Sequence, residues 1–104
     1  MNLFVVISKA AEFDLEDIFD YTYTEHGIDQ AVKYVSDFDV VFENLARHPN
    51  LGRDRSEIRE GLRSFLHKHH IVFYRIMMDK IRIVRILHEA RDLPRQFKDI
   101  LVDS

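Results

Sequence analysis

Six histidines and a run of arginines in the second half are the side chains whose types best suit chemistry. Arg63 and Arg85 could supply positive charge to a phosphoryl transition state, and His88 could give a proton to a leaving oxygen. That trio would suit phosphodiester cleavage. Against it, Glu89 follows His88 directly and Asp92 stands close behind, and both carboxylates would repel a phosphate. His67, His69 and His70 crowd into one short stretch. Imidazoles at alternate strand positions could share a metal, but no carboxylate lies within that stretch. A polar turn, with His70 hydrogen-bonded to its strand, accounts for the run. The chain has no cysteine, so a thiol nucleophile, a thiolate metal site and a disulfide framework are all excluded. His26 and His48 fall at predicted helix C-termini, where the helix dipole is sufficient reason for them. The expectation is a chain with no catalytic residue, no metal and no cofactor.

The same residues read better as contacts. Arg75 and Arg85 are expected to pair structurally with carboxylates such as Asp14 and Asp17 on the first helix. Arg59, Arg63 and Arg91 are expected to reach a partner. Tyr21, Tyr23, Tyr34, Phe38 and Phe42 are core candidates first, but two short helices cannot hide them all beneath a small sheet. A leftover groove, with Tyr21, Tyr34 and Phe38 prominent, would take an amphipathic helix. Charge is distributed unevenly. Residues 1–48 carry a balance of −7 and residues 49–104 one of +4, within a net charge of −3. Such polarity orients partners more than it binds them. The acidic total argues against direct nucleic-acid contact.

These residues need a scaffold, and the hydrophobic pattern supplies one. Leu3–Ile7 reads as a strand buried on both faces. Ser8 can cap a helix that carries Ala11, Leu15, Ile18, Phe19 and Thr22 on one face and ends at Gly27. A second helix begins with Asp29 as its cap, shows apolar residues at Ala31, Tyr34, Phe38, Val41, Phe42 and Leu45, and stops before Pro49. The short link makes an antiparallel helical hairpin. After a turn at Pro49–Gly52 and a polar loop from Arg53 to Ile58, three strands follow at Arg59–Leu66, His70–Met77 and Lys80–Leu87. Their turns fall at Lys68-His69 and Met78-Asp79. Residues 93–102 could close the chain as a short helix. The 104 residues suit a single domain, 1–104, of α+β class: β-α-α-β-β-β, with the hairpin on a mainly antiparallel four-stranded sheet. No apolar run is long enough to span a membrane and no signal peptide is evident, so a cytoplasmic location is the expectation.

Four motifs carry a resemblance over nearly the whole chain. They are Pro49-Asn50-Leu51-Gly52-Arg53, Gly61-Leu62-Arg63, His70-Ile71-Val72-Phe73-Tyr74-Arg75, and Arg85-Ile86-Leu87-His88 with Asp92 beyond. With Ala11–Ile18 early in the chain, they resemble the ParE toxins of the RelE/ParE superfamily in order and spacing. The resemblance implies that Pro49, Gly52, Gly61, His70, Tyr74, Arg75, Arg85, His88 and Asp92 are structural. It implies a toxin of a type II toxin–antitoxin module, of the kind that stabilises plasmids, inhibiting DNA gyrase by binding it. A ParD-like antitoxin would silence it in a hetero-oligomeric complex, and DNA would be contacted only through that antitoxin. Two alternatives stay open: a ribosome-dependent mRNA interferase like the sister RelE branch, or an inactive toxin-like binding module. The dense lysine cluster and late tyrosine of RelE-type enzymes are missing here.

Overall fold

The computed structural model describes residues 2–90. Its elements run β1 (Phe4–Ile7), α1 (Lys9–His26), α2 (Ile28–Arg47), β2 (Arg53–Asp54), β3 (Leu62–His67), β4 (His70–Met77) and β5 (Lys80–His88). The strands form one sheet in the order β1-β5-β4-β3-β2. β1 lies parallel to β5, and every other pairing is antiparallel. The helical hairpin covers one face. This is the α+β arrangement anticipated from the sequence, a helical hairpin on a mainly antiparallel sheet, with one strand more than the four expected.

The extra strand is β2. Arg53 and Asp54, anticipated as loop, pair with Ser64 and Arg63. The anticipated strand at Arg59–Leu66 starts only at Leu62, because residues 55–61 are consumed by tight turns. Ile58 N–H donates to Arg55 O at 2.9 Å, and Leu62 N–H donates to Arg59 O at 3.1 Å. Gly61 closes the last turn at φ +80°, where a side chain would be strained.

Ser8 caps α1 as anticipated, its Oγ accepting from the Ala11 N–H at 3.0 Å. The same hydroxyl donates to Val84 O at 2.8 Å, fastening the start of α1 to β5. Asp29 does not cap α2. Gly27, at φ +89°, ends α1 and begins α2 by itself, and Asp29 sits in the first turn of α2, favourable to the dipole. A single glycine therefore reverses the chain, and the helices pack directly on each other.

The core lies between hairpin and sheet. Ala11, Ile18, Phe38, Val41, Phe42 and Leu45 meet Val72, Tyr74, Ile81, Ile83 and Ile86. A second, smaller cluster of Leu62, Phe73, Val84 and Leu87 occupies the opposite face, with Ile58 of the 55–61 turns packed against it. β1 departs from expectation. Phe4 is 69% exposed and Val5 36%, because β1 is a short edge strand and no helix covers the face on which Phe4 stands. Among the described residues, no helix is long and apolar enough to cross a membrane.

Candidate partner-binding groove

Three local devices shape the molecule around an open groove. The first is the 49–52 turn. The fully buried Tyr74 hydroxyl donates to Pro49 O at 2.6 Å and accepts from Gly52 N–H at 2.9 Å. A Cβ at Gly52 would lie 2.5 Å from that hydroxyl and 2.9 Å from Ser64 O, so only glycine fits. Arg63 completes the lock. Its guanidinium donates to Gly52 O at 3.0 and 2.7 Å and to Asn50 O at 3.1 Å. The proline, glycine, arginine and tyrosine motifs thus converge on one turn. Arg63, anticipated at a partner surface, has its donors directed inward.

The second device is a buried ion pair. Arg85 grips Asp14 through two hydrogen bonds of 2.7 and 2.8 Å, and Asp14 also accepts from the Ile86 N–H at 2.9 Å. Asp14 is only 8% exposed, so these three bonds stand in for lost water. β1 ends beside Ile83, and the Asp14 carboxylate takes over as hydrogen-bond acceptor for the β5 edge beyond it.

The third device is an aromatic–imidazole cluster at the β3–β4 turn. Tyr34 Oη and His70 Nδ1 lie 2.6 Å apart. Burial pushes the Tyr34 phenol above its usual range, with the His69 backbone opposing and the Glu89 charge adding. It pushes His70 down to about 4, helped by the neighbouring His88, His69 and His67. Both groups are therefore neutral at neutral pH, and the imidazole tautomer sets which of the two donates. His67 is likewise lowered, chiefly by burial and then by Lys68, and packs edge-on against Phe38 at 5.1 Å. Its Nε2 is buried without a hydrogen-bond partner among the described residues. Lys68 lies 5.4 Å above the Tyr34 ring and 3.5 Å from Asp37.

Between α1, the start of α2, the β3–β4 turn and the end of β5 opens a groove of about 690 Å³. Asp17, Ile18 and Tyr21 form one wall; His70, Leu87 and His88 form the other; Tyr34 lies at the α2 end. Tyr21 is 68% exposed. The groove is amphipathic. The cations that phosphate cleavage would call on are committed elsewhere: Arg63 to the turn and Arg85 to Asp14. His88 Nδ1 accepts the Ala90 N–H at 3.0 Å. Among the described residues, no group of three or more histidines and carboxylates is arranged to hold a metal ion.

Of the residues expected at a partner surface, the groove gathers Tyr21 and Tyr34. Phe38 is fully buried and backs the wall from inside, where a partner cannot touch it. Arg59 lies in the 55–61 turns, on the far side of the sheet from the helices. Arg91, Asp92 and the anticipated helix at 93–102 lie outside the described residues. Arg75 stands on β4 opposite Arg82, with no carboxylate paired to it among the described residues. Asp17, His69 and Leu87 were not anticipated at a partner site. Their alternation with core residues gives no sign that two elements distant in sequence leave a gap between them.

A family model for the ParE toxin of type II toxin–antitoxin systems, parDE, matches residues 5–93. A Mycobacterium tuberculosis protein called Toxin ParE1 is 37% identical over 91 residues, covering 86% of this chain and 93% of the relative. Among solved structures, a chain of the chromosomal ParDE system from P. aeruginosa superposes with a TM-score of 0.73 at 25% identity. The match covers 83% of this chain and 95% of that one. A chain of the RelBE2 toxin–antitoxin complex from M. tuberculosis shares the fold, with a TM-score of 0.62 at 21% identity over 85% and 99% of the two chains.

Proposed function

The chain belongs to the ParE toxin family of type II toxin–antitoxin systems, and from that premise we propose that it arrests growth by binding DNA gyrase. It works as an adhesive, without covalent chemistry, in the cytoplasm and with no cofactor. A ParD-like antitoxin neutralises it by laying an amphipathic segment into the groove between α1 and β5, against Tyr21, Tyr34 and His88. The observation that carries this reading is the commitment of Arg63 and Arg85 to internal acceptors. It leaves the open groove with surfaces to grip a partner and, among the described residues, with Lys68 as its one lining lysine or arginine, itself 3.5 Å from Asp37. Potency then comes from slow dissociation.

A gyrase supercoiling assay tests the reading directly. Purified toxin should block supercoiling at a near-stoichiometric ratio, and an equimolar antitoxin should restore it. Absence of inhibition at saturating toxin removes gyrase as the target. Codon-position cleavage of mRNA on translating ribosomes, lost in His88→Ala, would assign the chain to interferase chemistry instead.

A further inference from the structure

The face of the sheet that the helices leave open carries a second feature that antitoxin or gyrase binding does not explain. Register places its residues in a small grid. Phe4, Lys80 and Met77 stand side by side across β1, β5 and β4. In the next row, Val6, Arg82, Arg75 and Leu62 stand side by side across β1, β5, β4 and β3. Neighbouring strands lie about 5 Å apart, and alternate residues along a strand about 6.7 Å apart. Arg75, Lys80 and Arg82 are thus immediate neighbours, and Arg75 directly opposes Arg82. Like charges opposed across a ladder are destabilising, and among the described residues none of the three is in an ion pair. At the margin of this cationic cluster stands the Phe4 ring, 69% exposed.

We propose that this face binds single-stranded nucleic acid, the three cations meeting successive phosphates and Phe4 stacking on a base. Guanidinium and ammonium groups spaced at a few ångströms suit a polyphosphate backbone, and an exposed ring beside them gives a sequence-tolerant platform for bases. An acidic polypeptide would use the cations but has no flat bases for Phe4. The acidic net charge points away from nucleic acid only because it averages two layers. The acids of α1, Glu12, Glu16, Asp17 and Asp20, belong to the helical layer, whereas the grid itself carries three cations, with Asp79 in the turn before Lys80 and Glu60 in the turn beside Arg75 at its margins. Repulsion from the helical layer would then orient the strand onto the sheet. Binding here requires neither antitoxin nor gyrase, so it stands or falls independently of them.

The test is fluorescence anisotropy of a labelled thymidine oligomer, about 15 nucleotides long, titrated with the full chain. Three phosphate contacts predict a log–log salt slope of about −2, or about fifteen-fold weaker binding at 200 mM than at 50 mM salt. Arg82→Gln and Lys80→Gln should each flatten the slope by about 0.7. Lys80 begins a hairpin strand, so its substitution keeps the test open should Arg82→Gln unfold the chain. Phe4→Ala should weaken binding to the single strand about five-fold or more and leave binding to a duplex of equal length unchanged. No saturable binding at low salt overturns the assignment. So does binding that the arginine and lysine variants leave intact, or a polyglutamate competitor that displaces the oligomer at equal charge concentration, which would reassign the face to an acidic protein.

Discussion

At the scale of single residues, Tyr74 shows how one hydroxyl can account for several motifs. Removing it in Tyr74→Phe leaves the buried Gly52 N–H without its acceptor and frees the Pro49 carbonyl. The expected loss is about 1–3 kcal/mol of stability, read by urea unfolding. Gly52→Ala should be worse, since the added methyl meets the hydroxyl at one end and a backbone oxygen at the other. His70 gives a second prediction, with its sign fixed by linkage. Its folded value, about 4, lies below the ordinary 6.5, so the unfolded chain takes up the proton first as pH falls. The stabilising share of His70 is complete above pH 6.5 and declines between 6.5 and 4. Denaturation midpoints across that window should fall less steeply in His70→Asn than in the parent chain. Equal slopes would mean that His70 is not held neutral.

Between elements, Asp14 decides how α1 meets the sheet. Asp14→Ala would strand a largely buried guanidinium, at a cost of about 3–5 kcal/mol. Replacing both partners with apolar residues, as in Asp14→Leu with Arg85→Met, should recover most of that loss. A double-mutant cycle separates the pair's coupling from the penalty of an orphaned charge. The β4–β5 turn makes a smaller, opposite prediction. Met78 is 98% exposed and held at φ +53°, a conformation costly for any residue with a Cβ. Met78→Gly should therefore raise stability by up to about 1 kcal/mol, visible as a higher thermal midpoint. The matching turn at Lys68, φ +54°, is less suited to the same change, because Lys68 also contacts Asp37 and the Tyr34 ring.

For the whole molecule, the two layers separate two kinds of surface. The helical layer and the end of β5 enclose the groove, and the far face of the sheet carries the cationic grid. Tyr21→Ala tests the first without touching the fold, since the ring is mostly exposed. Antitoxin affinity should fall about ten-fold or more, as for an aromatic anchor, while the thermal midpoint stays unchanged. An unaltered dissociation constant would take Tyr21 out of the interface. The charge polarity between layers should also make association faster at low salt and leave dissociation nearly constant.

The amino-acid sequence alone determined the helical hairpin, the β3–β4–β5 meander and the turn at Pro49–Gly52, because period, caps and turn residues are local signals. It also held the family motifs, although Pro49, Gly52, Arg63 and Tyr74 do not disclose in sequence that they share one turn. Tertiary structure decided the rest. Whether Phe38 or Tyr21 meets a partner depends on how far each stands from the sheet along a stripe that looks uniformly apolar in sequence. Whether Arg63, Arg75 or Arg85 is engaged depends on what another segment places opposite it. β2 exists only because β3 offers it an edge. Contacts of this kind are set by register and layering between distant segments, and a one-dimensional pattern carries the face of each element but not its neighbour.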